Sequence, residues 1–277
     1  MKKIIIVGSN GMLGRYMTTY LKQYYTVVGL TRYDYDIAAQ TNKSVKFFTD
    51  TTSPGDVVIN CAGILKPYYK TLSFDETYLV NAFFPSSLSH ECIVNNRHFI
   101  HFSSDCVFGD KGDYVETDEK DGYGEYARQK GKEPLFGVTF RTSFIGEQPN
   151  HTDPSTAGLL QWLRLNNNTQ LNGYTNCLWN GLTCYQVCKI VKDTIDERYF
   201  GNRTQHLFTP EKISKHDLCK LIIDEYDLNI DLVPTEAGSI MGTPIHGVLD
   251  RTLSTIHEPI KVPDIKTQIN EQHSFKL

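Results

Sequence analysis

Tyr126 and Lys130 stand four residues apart, a spacing that in a helix sets a phenol and an ammonium on one face, one turn from each other. A cation beside a phenol favours the ionised form and moves its proton toward a range useful for acid–base chemistry. Upstream, His101-Phe102-Ser103-Ser104-Asp105-Cys106-Val107-Phe108 ends an apolar run in two hydroxyls able to donate to a carbonyl oxygen. Ser104 lies 22 residues before Tyr126, enough chain for a loop to bring them together. A third group, Gly8-Ser9-Asn10-Gly11-Met12-Leu13-Gly14, has three glycines at three-residue spacing. Glycine at the first permits a tight turn, at the second it lets backbone N–H groups reach a pyrophosphate, and at the third it allows close packing of helix on strand.

The elements needed to position these groups are legible nearby. Lys3 to Val7 is a β-branched run that reads as a strand buried on both faces, and Gly11 to Tyr24 carries apolar residues at helical spacing. Further strands are predicted at Thr26–Leu30, Asp56–Asn60, Phe99–Ser103 and Val138–Arg141, with helices over Phe74–Val94 and Tyr123–Glu133. Strands alternating with helices, without hairpin signals, predict an α/β protein with a doubly wound parallel sheet of Rossmann type. After Gly146 the pattern changes. A Pro-containing loop over 147–155 leads to a helix near Ala157–Leu165 and a strand at Gln170–Leu171. A helix at Tyr185–Asp196, a strand at His206–Phe208 and a helix at Ser214–Tyr226 follow. The expected division is a dinucleotide-binding domain over 1–146 and a smaller C-terminal α/β substrate-binding lobe over 147–277, with 175–200 returning to the first domain. The polar stretch from Glu258 reads as a loosely packed tail.

An acidic residue after the second strand would hold the ribose 2′-hydroxyl of NAD, but the sequence there is Leu30-Thr31-Arg32-Tyr33-Asp34. Arg32 is placed to pair with a 2′-phosphate, which favours NADP(H) over NAD(H), with Thr31 beside it and NAD(H) left open.

Composition narrows the partners. The chain has 277 residues, 40% of them hydrophobic, with a net charge of −4, and no basic run, so nucleic acid and anionic membranes are not expected partners. The apolar run at Ile4–Val7 is too short for a signal peptide and is broken by Gly8. Seven cysteines without CxxC spacing indicate neither a disulfide framework nor a zinc knuckle, and nine scattered histidines offer no metal motif. The expected location is the reducing cytoplasm, without a membrane span or metal. A homodimer is the ordinary oligomer for such a protein, although nothing in the sequence marks an interface.

Taken in order, Gly8 to Gly14, Asn60-Cys61-Ala62-Gly63, Val80-Asn81-Ala82, Ser103 to Phe108 and Tyr126 to Lys130 resemble the motifs of the extended short-chain dehydrogenase/reductase family. The pattern is most similar to that of the dTDP-4-dehydrorhamnose reductases. The similarity runs from residue 1 to about 146, then more loosely through Asn180-Gly181-Leu182-Thr183 and Asp250-Arg251-Thr252-Leu253-Ser254. It implies that Ser104 hydrogen-bonds a sugar keto oxygen, that Tyr126 supplies the proton, and that Lys130 tunes Tyr126 and holds the nicotinamide ribose. Cys61, Ala62 and Gly63 would line the cofactor, and Asn81 would steady the active-site helix or a water near Lys130. Asp105, Trp179 and Asn180 are the candidate substrate contacts. The implied reaction is NAD(P)H-dependent reduction of the C4 ketone of a nucleotide-linked 4-keto-6-deoxyhexose, dTDP- or UDP-linked, rhamnose-type or 2-acetamido, in deoxysugar synthesis.

One position departs from that pattern. The family usually carries tyrosine where this chain has Cys106. In related bifunctional epimerase-reductases a cysteine at this offset exchanges a proton beside the ketone, so a 3,5-epimerase/4-reductase is the alternative expectation. Its second acid/base has no clear match, for His151 is displaced from the expected place. The plainer reading of Cys106 is a small buried apolar residue. Two further rivals are a non-catalytic NADP-binding regulatory subunit and a dehydratase or epimerase that recycles its hydride. Asp105 suits a dehydratase, but Cys106 stands where the glutamate would follow.

Overall fold

The computed structural model describes residues 3–39, 51–240, 243–244 and 247–277. Its centre is one parallel sheet of six strands, β1 (Lys3–Val7), β2 (Thr26–Leu30), β3 (Val57–Asn60), β4 (His98–Phe102), β5 (Val138–Arg141) and β6 (Arg203–His206). They lie in the order β6-β5-β4-β3-β1-β2, with Val7 opposite Leu30 on one side and Asn60 on the other. From β1 the chain moves outward to β2 and then returns to place β3 on β1's other flank. The crevice at the carboxyl ends of β1 and β3 is where such sheets bind ligands.

Both faces are covered, which explains the uninterrupted apolar strands. Ile4, Ile6, Val57, Ile59 and Ile100 face α1 (Met12–Leu21) and a helix from Cys184 to Asp196. Ile5, Val58 and Phe99 face Leu88 and Cys92 of a helix from Phe84 to Val94. Each fully buried aliphatic side chain contributes roughly 1.5–3 kcal/mol relative to exposure.

The predicted Phe74–Val94 helix has three parts. α2 (Phe74–Tyr78) opens on a capping box between Ser73 and Glu76, Leu79–Phe83 forms a π-helical turn, and α3 (Phe84–Val94) follows. π-turns recur where a helix must re-aim a side chain, and this one carries Asn81. α4 (Gly124–Lys130) carries Tyr126 and Lys130. Just beyond it, Glu133 makes two 2.7 Å bonds to the guanidinium of Arg141 on β5, both side chains being buried, so α4 is tied to the sheet.

The second half contains α5 (Leu159–Leu165), α6 (Cys184–Asp196), α7 (Lys215–Glu225) and α8 (Ile265–Ser274), with short strand pairs beside them. Thr169–Tyr174 pairs with Ile230–Thr235, and Cys177–Trp179 pairs with Ile213–Ser214 and Leu249–Asp250. α6 packs on α1 within the main core, and the strand expected at 206–208 lies at 203–206, where it extends the central sheet beside β5.

The expectation of a loose tail is corrected. Asp264 caps α8, Ile265 and Ile269 are buried one turn apart, and the Phe275 ring lies 4.7 Å from that of Tyr185. Gln268 and Gln272 accept from the backbone N–H of Thr183 and Tyr185. The segment looked solvated because its polar residues are amides, yet these amides satisfy buried backbone donors.

Candidate active site

The glycine turn is shaped by contacts that only glycine allows. Gly8 has φ +78°, and a Cβ there would meet Ala62 at 2.8 Å. A Cβ on Gly14 would meet the Gly8 carbonyl oxygen at 2.1 Å. Gly11 caps α1 without a side chain, and no acidic residue occupies the first turn, so the positive end of the helix faces the crevice. Leu13 is buried in the core and contributes packing, whereas Met12 and Asn10 line a neighbouring cavity of about 260 Å³ with His151.

A cavity of about 370 Å³ opens beside the turn, bounded by Gly8, Gly11, Thr31, Arg32, Cys61, Ala62 and Gly63. These include most of the residues expected to hold a dinucleotide. The cavity fits that group: the backbone closes where side chains would intrude, and the helix end is unneutralised. Arg32 stands largely exposed at its edge, 3.2 Å from Asp36, which also lines the cavity. Asp36 and Glu76 are carboxylates that the sequence reading did not place there, because both come from beyond the short stretch after β2.

Ser103 and Ser104 separate in role at the end of β4. Ser103 donates to the carbonyl of Lys130 and fixes α4, whereas Ser104 caps the turn Asp105–Val107, accepting from the Cys106 N–H and donating to Asp105. The Ser104 hydroxyl is also a hydrogen-bond neighbour of the Tyr126 phenol.

The expected lowering of the Tyr126 pKa by its cation is corrected. Loss of water around the hydroxyl, helped by Cys106 and Asp105, drives the phenol far above its ordinary value, and Ser104 opposes this only in part. Tyr126 is therefore held as a neutral acid. Lys130 is buried, with its Nζ 2.6 Å from the Phe102 carbonyl. Burial pulls this ammonium down to about 8 against the upward influence of Glu133.

Cys106 lies half-buried near Tyr126, its thiol pushed up by burial and Asp105, with Arg251 Nη1 3.9 Å from its sulfur. Lys66 Nζ lies 5.7 Å from the centre of the Tyr126 ring. Lys215 lies over the Trp179 indole at 5.1 Å and feels the fields of Asp105 and Cys106. Lys66, Lys215 and Arg251 have no carboxylate within ion-pair distance among the described residues. The sequence reading missed all three as site residues, because single cations on separate segments have no diagnostic spacing.

Two expected contacts serve the framework. Asn180 is buried and spends both ends of its amide on the backbone of Leu253, which corrects its assignment to the sugar or base. Trp179 is buried with its indole N–H on Ser143, leaving its face to Lys215. Asn81, expected to steady the active-site helix or a water near Lys130, clamps the N–H and C=O of Ile64 and donates to the Tyr69 hydroxyl, which in turn donates to Gln129 of α4. Among the described residues, no cluster of three or more His, Cys, Asp or Glu side chains could hold a metal, and no helix is long and apolar enough to cross a membrane.

Sheet order and glycine turn define an α/β fold of Rossmann type, in which Tyr126 and Lys130 share one helix and Ser104 neighbours Tyr126. The sequence profile of the RmlD substrate binding domain family matches residues 1–133, just under half of the chain, and over that stretch the chain is similar to dTDP-4-dehydrorhamnose reductases. A dTDP-4-dehydrorhamnose reductase of Mycolicibacterium smegmatis is 32% identical over 124 residues, 44% of this chain and 36% of that protein. The spore coat polysaccharide biosynthesis protein SpsK of Bacillus subtilis is 31% identical over 149 residues, 52% of each. The matches thus span about half or less of these relatives. Whole-chain likeness is seen in solved structures: a dTDP-4-dehydrorhamnose reductase from Bacillus anthracis in complex with NADP has a TM-score of 0.80 at 17% identity, covering 99% of both chains. One from Clostridium acetobutylicum gives 0.77 at 20% identity, covering 98% of both.

Proposed function

We propose that this protein uses NADPH to reduce the C4 ketone of a nucleoside-diphosphate 4-keto-6-deoxyhexose. The observation that carries the reading is a neutral, desolvated Tyr126 phenol beside the Ser104 hydroxyl, at the carboxyl end of β4 in a sheet whose β1 opens on the glycine turn. NADPH, when bound, supplies the hydride to the carbonyl carbon. Ser104 orients the carbonyl, Tyr126 gives its proton to the oxygen, and the Lys130 ammonium stabilises the phenolate left behind. The unpaired cations Lys66, Lys215 and Arg251 suit a substrate that brings negative charge, as a nucleoside diphosphate does. The test is to offer dTDP- and UDP-linked 4-keto-6-deoxy sugars with NADPH. One NADPH oxidised per sugar supports the reading; product formed without net oxidation points to a hydride-recycling enzyme, and cofactor binding without turnover points to a regulatory subunit.

For the cofactor, Arg32 at the cavity edge favours the 2′-phosphate of NADP(H), which must draw the guanidinium from Asp36. Arg32→Ala is expected to reduce kcat/KM for NADPH about tenfold and leave that for NADH within twofold, since an exposed charge-assisted contact to phosphate is worth about 1.5–3 kcal/mol before screening. Equal losses with both cofactors would remove Arg32 from this role.

Cys106 supports a second reading, in which epimerisation accompanies reduction, because its thiol lies near enough to Tyr126 to raise the phenol's pKa. Substrate incubated in deuterated water should then gain deuterium at C3 or C5, and Cys106→Ser should abolish the gain. Absence of deuterium in the wild-type product leaves reduction as the whole reaction.

A further inference from the structure

Tyr69 belongs to the short 3₁₀ turn Lys66–Lys70 that also carries Lys66, but takes no part in the chemistry described above. Its ring stands edge-on to that of Tyr126, with centres 5.9 Å apart and planes at 81°. Its hydroxyl donates to Gln129 Oε1 at 2.6 Å and accepts from Asn81 Nδ2 at 2.8 Å. Gln129 is fully buried, one helical turn beyond Tyr126 and adjacent to Lys130, and its Nε2 donates to the Thr77 hydroxyl at 3.1 Å. The other end of the network is fixed equally well: Asn81, aimed by the π-turn, accepts from the Ile64 N–H and donates to the Ile64 carbonyl, each at 2.9 Å. Ile64 is itself a wall of the 370 Å³ cavity.

We infer that Tyr69 is a positioning residue, whose hydroxyl joins the Ile64 wall of the cofactor cavity to α4 and thereby fixes the angle at which Tyr126 presents its proton. The inference rests on the proposed reductase reading for its kinetic consequences, but not for its structural one. α4 has only seven residues, too few to hold its own orientation, so its rotation depends on side-chain anchors. On its buried side these include Ser103 to the Lys130 carbonyl, Lys130 Nζ to the Phe102 carbonyl, and the Tyr69–Gln129–Thr77 chain. Removing the hydroxyl leaves the edge-on ring contact and releases the Gln129 anchor. A proton donor displaced by about 1 Å loses about 10²-fold in rate.

The experiment compares Tyr69→Phe and Thr77→Val with the wild type. Thr77 sits at the far end of the chain and does not line the cofactor cavity. With a 4-keto sugar nucleotide and NADPH, Tyr69→Phe is expected to lower kcat about 10- to 100-fold with the NADPH dissociation constant within threefold, and Thr77→Val to act in the same direction but less. A parallel readout needs neither substrate nor cofactor: 3-fluorotyrosine placed at position 126 should give one narrow ¹⁹F resonance in the wild type that moves and broadens in Thr77→Val. An unmoved resonance in folded Thr77→Val overturns the inference whatever the reaction is, and so does a loss of NADPH affinity as large as the loss of kcat. Absence of turnover in the wild type counts against the reductase reading alone, and the ¹⁹F comparison then decides the role of Tyr69.

Discussion

Tyr126→Phe is expected to lower kcat for reduction of a 4-keto sugar nucleotide by about 10²–10⁴-fold, the usual contribution of a positioned general acid. The ring remains, so its edge contact with Tyr69 and its place under Lys66 survive, and NADPH affinity should change less than threefold. The size of the loss follows from the state of the phenol. Because burial drives its pKa far above the ordinary value, the hydroxyl is protonated across the working range. The phenolate formed after transfer needs a counter-charge, and Lys130, one turn along the same helix, is the candidate. Its ammonium titrates at about 8, below the ordinary lysine value, so it is charged below that pH and neutral above it. Wild-type kcat is accordingly expected to fall as pH rises through about 8. Stopped-flow or steady-state absorbance at the nicotinamide band measures both effects. Turnover within threefold of wild type in Tyr126→Phe would sink the assignment, and a flat profile from pH 7 to 9.5 would remove Lys130 as the counter-charge.

The sequence exposes the parts of this site that obey spacing rules. Gly8, Gly11 and Gly14 could be read because turn, helix end and close packing each demand glycine at a fixed interval. The central strands could be read because burial on both faces leaves apolar runs with no alternation. The direction of the Tyr126 shift could not be read, since spacing reveals the cation but not the low-polarity surroundings that outweigh it. Asn180, Gln268 and Gln272 were misplaced for a common reason: an amide that satisfies buried backbone groups has the same letter as one that meets solvent or ligand. Lys66, Lys215 and Arg251 converge from segments nearly 190 residues apart in sequence. Only the packing of the second half against the first makes all three neighbours of Cys106. The π-turn at Leu79–Phe83 is equally silent, because one inserted residue scarcely changes an apolar pattern while it redirects Asn81 onto Ile64.

Gly14→Ala provides the sharpest test of the glycine turn, because local propensity and packing predict opposite signs. Gly14 lies within α1, where alanine in place of glycine normally stabilises by about 1 kcal/mol through chain entropy and helix propensity. Here the added Cβ would stand 2.1 Å from the Gly8 carbonyl oxygen and 2.9 Å from Ser9 Cα, both backbone atoms that no rotamer change can move. Relief requires α1 to lift from β1 or the turn to open, and overpacking of this kind costs typically 1–3 kcal/mol or more. The clash therefore wins, and the expected fall in Tm is roughly 2–12 °C for a chain of this size. Opening the turn also moves the N–H groups at the start of α1, so NADPH affinity should drop more than about tenfold, as two or more misaligned hydrogen bonds to a charged group imply. Gly201→Ala is the control: no atom lies within 4 Å of its would-be Cβ, and both Tm and NADPH affinity should stay at the wild-type values. Thermal unfolding with and without NADPH, together with fluorescence titration of the cofactor, separates the two contributions. A Gly14→Ala protein that melts at or above the wild-type temperature with unchanged affinity would show that the close approach of α1 to the turn is not what shapes this site.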